Sequence, residues 1–128
     1  TALANPQRKV VGLVGDGGLS LNLGEMATLA QEKANVTLLI MNDGGYGVMR
    51  GIQDKYFGGR QYYNELHTPD FTALAQAMGL QAWSVEREQD FQAVLAEALA
   101  MPGPSVVEVR MGAIGPLRFA GPPQKTLY

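Results

Sequence analysis

Short apolar runs alternate with stretches of helical periodicity along this chain, and that alternation constrains its fold more than any other feature. Lys9–Val14 and Val36–Met41 are almost wholly apolar, as expected for strands covered on both faces. Ser105–Met111 predicts another strand, and Gln81–Val85 predicts the weakest of the four. Three apolar stripes at helical spacing separate them: Leu23, Met26, Ala27 and Ala30; Phe71, Leu74, Ala75 and Met78; and Phe91, Val94, Leu95, Ala98 and Leu99. This order predicts an α/β fold, an open parallel sheet with helices on both faces.

Residues that are typical of helix ends predict where one of these helices begins and ends. Thr68 is expected to cap the helix that contains Phe71, Pro69 to occupy its first position, and Gly79 to follow its last residue. Residues 45–67 fit no clean period and predict a short helix followed by a mobile loop.

The two ends of the chain carry separate expectations. The chain opens without Met on Thr1–Pro6, which is typical of the end of a helix already under way. We therefore expect residues 1–128 to form a single, partial domain, N-terminally truncated, within a longer polypeptide. The glycines and prolines between Gly112 and Tyr128 predict an irregular tail.

A carboxylate beside glycine follows each of the first two predicted strands. Gly15-Asp16-Gly17-Gly18 comes directly after the first strand, and Asn42-Asp43-Gly44-Gly45 after the second. Ligands bind at the carboxyl ends of parallel strands, so both loops are expected at the ligand edge of the sheet. Glycines there let a backbone approach a phosphate, yet Asp16 would place a negative charge beside that anion.

Three interpretations of these loops compete. Both are ordinary turns in the first, because Asp, Asn and Gly are common turn residues. In the second, Gly15-x-Gly17 begins a dinucleotide fingerprint, although Ser20 replaces its third glycine and Asp16 would repel a pyrophosphate by several kcal/mol, about 4 kcal/mol at 4 Å. In the third, which we favour because it resolves the charge, Asp16 and Asp43 hold Mg²⁺ and nearby amides hold a diphosphate.

Composition narrows the classes of partner. The formal net charge is −2 with no basic stripe, so neither nucleic acid nor an anionic membrane is expected as the main partner. The absence of cysteine excludes disulfides, zinc–thiolate sites and cysteine nucleophiles. No apolar run approaches ~18 residues and no secretion-signal pattern is present, so a cytoplasmic protein is expected.

The spacing of the two loops resembles a known signature. Gly15-Asp16-Gly17, then 24 residues, then Asn42-Asp43 is similar to the Gly-Asp-Gly…Asn-Asn pattern of thiamine diphosphate-dependent enzymes. Gly24–Leu29, Gly45–Arg50 and Pro69–Gly79 also resemble the C-terminal cofactor domain of the acetolactate synthase and 2-oxo acid decarboxylase group. The resemblance covers nearly the whole chain and implies the thiamine diphosphate-binding fold.

The resemblance implies thiamine diphosphate and Mg²⁺ as cofactors. It assigns Mg²⁺ to the side chains of Asp16 and Asp43 and to the carbonyl of Gly45. The implied cofactor-binding residues are Gly15, Asp16, Gly17, Gly18, Asp43, Gly45, Tyr46 and Gly47. Asp43 departs from the family, which more often has Asn there, and adds a charge. No catalytic residue is expected in this fragment, because the family's activating glutamate lies on a separate pyrimidine-binding domain.

The function implied is that of the cofactor-binding part of an enzyme that decarboxylates a 2-oxo acid and, as in acetolactate synthases, can ligate the resulting enamine to an acceptor. The implied partners are the 2-oxo acid, the pyrimidine-binding domain of the same or a partner subunit, and further copies in a homodimer or homotetramer. The isolated chain is expected to be inactive. The alternative is a non-catalytic α/β module that binds a Mg²⁺–nucleotide or a phosphate ligand.

Met49 and Ile52 are expected to line the substrate pocket, because their helical spacing turns both toward the predicted site. Biosynthetic acetohydroxyacid synthases have Trp at the position of Ile52, and pyruvate decarboxylases have Glu at that of Met49. The sequence therefore indicates neither of these two subtypes.

Overall fold

A computed structural model describes residues 1–113 of the chain. Its four strands, β1 (Val10–Gly15), β2 (Val36–Asn42), β3 (Gln81–Val85) and β4 (Ser105–Arg110), form one sheet in the order β1-β2-β4-β3. All three pairings are parallel. Each predicted strand is confirmed to within one residue at either end. Beyond Ala113, the predicted irregular tail lies outside the described residues.

Helices lie on both faces of this sheet, as predicted, but they leave Val11 and Leu13 of β1 exposed, so the expected covering of that strand on both faces is not found. The helices are α1 (Asp16–Ser20), α2 (Glu25–Glu32), α3 (Gly47–Tyr56), α4 (Phe71–Ala77) and α5 (Phe91–Ala100). Apolar side chains of α1, α2 and α4 pack with Ile40 and Val106 on one face. Ala98 of α5 packs with Val107 and Val109 on the other. Among residues 1–113, no helix is long and apolar enough to cross a membrane.

Asp70, not Thr68, caps α4. The Asp70 side chain accepts a hydrogen bond from the Ala73 amide at 2.8 Å, and the helix begins at Phe71. The prediction that Thr68 caps the helix and Pro69 opens it was wrong, because the extended backbone of Asp70 brings its carboxylate to an otherwise unpaired amide. Gly79 does follow the helix end, with the positive φ of 83° that favours glycine.

The strand register brings the segments after β1 and β2 to one edge of the sheet. Gly15 pairs with Met41, and Asn42 pairs with Arg110 of β4. The first of these segments differs from the predicted loop, because α1 starts at Asp16, immediately after the extended Gly15. Asp16 therefore lies in the first turn of a helix, directly at the end of β1.

Hydrogen bonds hold the segment after α3 against the turn that follows β2. The Tyr46 amide donates to the Asn64 carbonyl at 2.8 Å, and the Leu66 amide donates to the Gly44 carbonyl at 2.9 Å. An isolated antiparallel bridge joins Gly45 to Glu65 between them. The predicted short helix and the loop after it are therefore present, and the loop lies against the turn that follows β2.

Candidate functional site

A cavity of about 240 Å³ opens at the carboxyl ends of β1 and β2. All the residues predicted to bind the cofactor border it: Gly15, Asp16, Gly17, Gly18, Asp43, Gly45, Tyr46 and Gly47. Met41 and Met111 close its apolar wall. Parallel pairing of β1 and β2 therefore brings together two segments that lie 24 residues apart in the sequence.

Asp16 connects the two segments. Its side chain is buried, and Oδ2 accepts a hydrogen bond from the Gly45 amide at 2.8 Å. Burial is the main cause that raises the pKa of the Asp16 carboxyl, and the nearby Asp43 carboxylate raises it further, while amide hydrogen bonds from Gly17 and Gly45 oppose the shift. A cation between these two carboxylates would relieve both unfavourable effects.

Asp43 is held by an arginine. Arg50 Nη2 lies 3.0 Å from Asp43 Oδ2 and donates to the Asp43 carbonyl at 2.8 Å. Both side chains are partly exposed at the mouth of the site. The sequence analysis predicts no role for Arg50. The signal that could have indicated one was a basic residue on the short helix that follows the turn containing Asp43.

Close packing explains three of the glycines. A Cβ on Gly17 would lie 2.6 Å from the Tyr46 ring. A Cβ on Gly45 would overlap the Asn64 carbonyl oxygen, and one on Gly47 would overlap the Asp43 carboxylate. A side chain at any of these three positions would therefore displace a neighbouring group, whatever ligand the cavity takes.

Two other glycines leave open space at the strand end. No heavy atom lies within 4 Å of a Cβ built on Gly15, and Val14 Cγ2, at 3.6 Å, is in ordinary contact with one built on Gly18. The backbone there is accessible to a ligand that approaches from the cavity.

The donor set of the cavity fits a hard cation held together with a phosphate. Among residues 1–113, no three Asp, Glu, His or Cys side chains form a metal-binding group. A cation beside Asp16 and Asp43 would therefore complete its shell with backbone carbonyl and ligand oxygens. All of these are oxygen donors, and Mg²⁺ prefers one or two carboxylates combined with phosphate oxygens.

A buried carboxylate that is not predicted from the sequence lies behind the turn. Glu108 of β4 is almost fully buried, and its Oε1 accepts a hydrogen bond from Asn42 Nδ2 at 2.7 Å. The available signal was an acid between Val107 and Val109, in a segment predicted to form a strand. Charged residues are rarely fully buried unless they are paired.

The structure places the two predicted substrate-pocket residues in different depressions. Met49 borders the cavity with Asp16 and Asp43. Ile52 lies in a neighbouring groove, whose lining includes Met49, Phe57 and Tyr62. Met49 therefore lies between the two, and Ile52 does not line the cavity itself.

Comparison with known proteins gives consistent matches over most of the chain. The family described as thiamine pyrophosphate enzyme, C-terminal TPP binding domain, matches residues 1–109. Acetolactate synthase isozyme 1 large subunit of Escherichia coli K12 is 34% identical over 116 residues, which is 88% of this chain and 20% of that protein. Acetolactate synthase of Arthrospira platensis is 33% identical over 111 residues, 85% of this chain and 19% of that protein.

A solved structure shares the fold. The thiamine diphosphate-dependent 4-hydroxybenzoylformate decarboxylase of Rhodococcus jostii RHA1 superposes with a TM-score of 0.76 at 34% identity, over 85% of this chain and 21% of that one. The chain thus spans about a fifth of the length of these relatives.

Proposed function

Because this chain belongs to the family of C-terminal thiamine pyrophosphate-binding domains, we propose that it forms the diphosphate- and metal-binding part of a Mg²⁺-dependent enzyme that decarboxylates a 2-oxo acid. Thiamine pyrophosphate and thiamine diphosphate are two names for one cofactor. The observation that carries the proposal is the convergence of Asp16 and Asp43 with the glycine-rich segments after β1 and β2 on one cavity.

In this proposal each segment has a distinct role. Asp16 and Asp43 bind Mg²⁺ through their carboxylates, and Gly45 binds it through its carbonyl. Gly17 and Gly18 border the diphosphate, because they lie in the first turn of α1 at the edge of the cavity. When bound, thiamine diphosphate supplies the electron sink that loss of CO₂ from a 2-oxo acid requires.

Arg50 supports the assignment of Asp43 as a metal ligand. The family pattern more often has Asn at this position, so Asp43 adds a negative charge. The ion pair with Arg50 at 3.0 Å balances that charge and holds the carboxylate at the edge of the cavity. We therefore expect the site to retain Mg²⁺ binding despite the departure.

The proposed substrate is a 2-oxo acid that enters beside Met49, with Ile52 in the neighbouring groove that Met49 also lines. Ligation of the product to an acceptor is also proposed, because relatives of this chain are named acetolactate synthases.

The proposed enzyme contains a pyrimidine-binding domain and assembles as a homodimer or homotetramer. Val11 and Leu13 of the edge strand β1 support this, because they are 50% and 70% exposed on the α5 side of the sheet, beyond the part that α5 covers. Exposed apolar side chains in a row are typical of surfaces covered by another domain or subunit. Without that domain, the isolated 128-residue chain should release no CO₂ from pyruvate.

Calorimetric titration of the full-length protein that carries this chain tests the proposal. Thiamine diphosphate is expected to bind in the presence of Mg²⁺, to lose affinity on chelation, and to bind more tightly than ADP at equal Mg²⁺. Asp16→Ala should weaken its binding at least tenfold, about 1.4 kcal/mol. Asp54→Ala, which changes an exposed aspartate of α3, is the matched control. A preference for ADP would instead favour a non-catalytic nucleotide-binding module.

A further inference from the structure

Glu108 is a buried carboxylate with polar partners on two sides. It lies on the central strand β4, between β2 and β3, and is 1% exposed. Oε1 accepts from Asn42 Nδ2 at 2.7 Å. Oε2 accepts from both the amide and the hydroxyl of Thr72, at 3.2 and 3.1 Å, in the first turn of α4. Arg110 Nε lies 3.7 Å from Oε1 at the solvent side.

This contact determines which way the Asn42 amide points. A carboxylate only accepts hydrogen bonds, so the atom of Asn42 that faces Glu108 must be the NH₂ group. The Asn42 oxygen is then directed to the following turn, where it accepts from the Gly44 amide at 3.1 Å. The opposite orientation would set two donors against each other at Gly44.

The turn that Asn42 shapes carries two of the proposed metal ligands. Asp43 and Gly45 flank Gly44, whose φ of 72° gives the turn its direction. The Gly45 amide then donates to Asp16 Oδ2 at 2.8 Å. A continuous series of contacts therefore runs from Glu108 through Asn42 and the Gly44–Gly45 turn to Asp16.

We propose that Glu108 is a positioning residue of the cofactor site, which orients Asn42 and through it fixes the turn that presents Asp43 and Gly45 to the cation. The inference rests on the proposed function. Glu108 touches neither the cavity nor any proposed ligand, so it acts only through Asn42. Partners that orient metal ligands in this way typically change metal affinity by about 10–100-fold when they are removed.

Glu108→Gln isolates the polarity of the hydrogen bond, because glutamine has nearly the same shape but offers one acceptor and one donor. Asn42 and the Thr72 amide both require an acceptor at this position. If the glutamine oxygen serves Thr72, its NH₂ group faces Asn42 and forces the asparagine amide to turn over. We expect at least tenfold weaker binding of thiamine diphosphate at limiting Mg²⁺, about the size typical of such partners, measured by calorimetry on the full-length protein.

A second substitution should reverse the effect. Asn42→Asp combined with Glu108→Gln exchanges the roles, since the introduced aspartate would accept both from the glutamine NH₂ and from the Gly44 amide. The double variant is expected to bind within about threefold of wild type, whereas Asn42→Asp alone should bind more weakly, because two carboxylates then face each other. Glu86→Gln, an exposed acid that contacts the same Arg110 at 3.2 Å, is the matched control.

The outcomes separate the two proposals. A wild type that does not bind thiamine diphosphate with Mg²⁺ overturns the proposed function and this inference together. A wild type that binds, with Glu108→Gln binding equally well, overturns the inference alone. If Glu108→Gln weakens binding but the double variant does not recover, a general loss of packing is responsible and the positioning role is wrong. Circular dichroism of each variant at the titration temperature establishes that it is folded.

Discussion

The substitution Gly47→Ala should favour formation of α3 but disturb the geometry of the proposed metal site. Gly47 is the first residue of α3, where alanine is the better helix former by up to about 1 kcal/mol. Yet the added Cβ would overlap the carboxylate of Asp43. The Asp43 side chain must therefore rotate away from its position at the cavity, and its 3.0 Å contact with Arg50 is lost.

The two effects nearly cancel in stability but not in binding. The Asp43–Arg50 pair is partly exposed, so its loss costs about 0.2–1 kcal/mol, similar to the gain in helix propensity. The free energy of unfolding should change by less than about 1 kcal/mol. Displacing a ligand of the cation should weaken Mg²⁺-dependent cofactor binding by about 10–100-fold, or about 1.4–2.8 kcal/mol.

The measurement pairs urea unfolding with titration of thiamine diphosphate at a fixed, limiting Mg²⁺ concentration. Gly24→Ala is the matched control, because no heavy atom lies within 4 Å of its added Cβ. It should leave the affinity unchanged. A folded Gly47→Ala protein that keeps its affinity to within twofold would show that Asp43 does not bind the cation from the position it occupies here.

Three further substitutions test other contacts. Burial and Asp43 raise the pKa of Asp16, so the native state keeps the Asp16 proton to a higher pH than the unfolded chain does. The native state therefore loses stability as the pH rises between the unfolded and the folded pKa, and this loss is complete above the folded pKa. Asp16→Asn should therefore raise the melting temperature of the metal-free protein at pH 7 and not below about pH 3.9, while weakening Mg²⁺-dependent binding; a lower melting temperature at pH 7 would contradict this. Asp43→Asn keeps an oxygen ligand and restores the family's usual residue, so binding should survive to within about tenfold in the same titration, and its abolition would refute the role given to the side-chain oxygen. Phe71→Ala empties a fully buried position and should lower the free energy of unfolding by about 3–5 kcal/mol in urea, and a loss below about 1 kcal/mol would show that α4 is loosely packed.

Much of the fold follows from the amino-acid sequence because hydrophobic periodicity is local. The runs that became β1 and β2 are almost wholly apolar, which is typical of parallel strands. The covering expected on both faces is not found for β1, where Val11 and Leu13 are exposed. Parallel connections then force the segments after both strands to the same edge of the sheet. The proximity of Asp16 to the turn that contains Asp43 was therefore predictable from the order of strands and helices alone.

The cap of α4 shows where local reasoning failed. Thr68 and Asp70 are both good capping residues, and Pro69 suits a first helical turn. The choice between them depends on where the chain leaves the sheet edge. Thr68 Oγ1 instead donates to Asn42 Oδ1 at 3.4 Å, a contact with β2 that sequence spacing does not indicate.

The partners of the candidate site depended on tertiary structure alone. Asn42 and Glu108 are 66 residues apart, and only the pairing of β2 with β4 brings them within 2.7 Å. Met49 and Ile52 share a helix face by spacing, yet the loop packed against α3 assigns Ile52 to a separate groove. The periodicity of a sequence determines which residues share a face, because that depends on near neighbours. Which side chain meets which across the sheet depends on the register of strands far apart in the chain, and only the folded structure decides it.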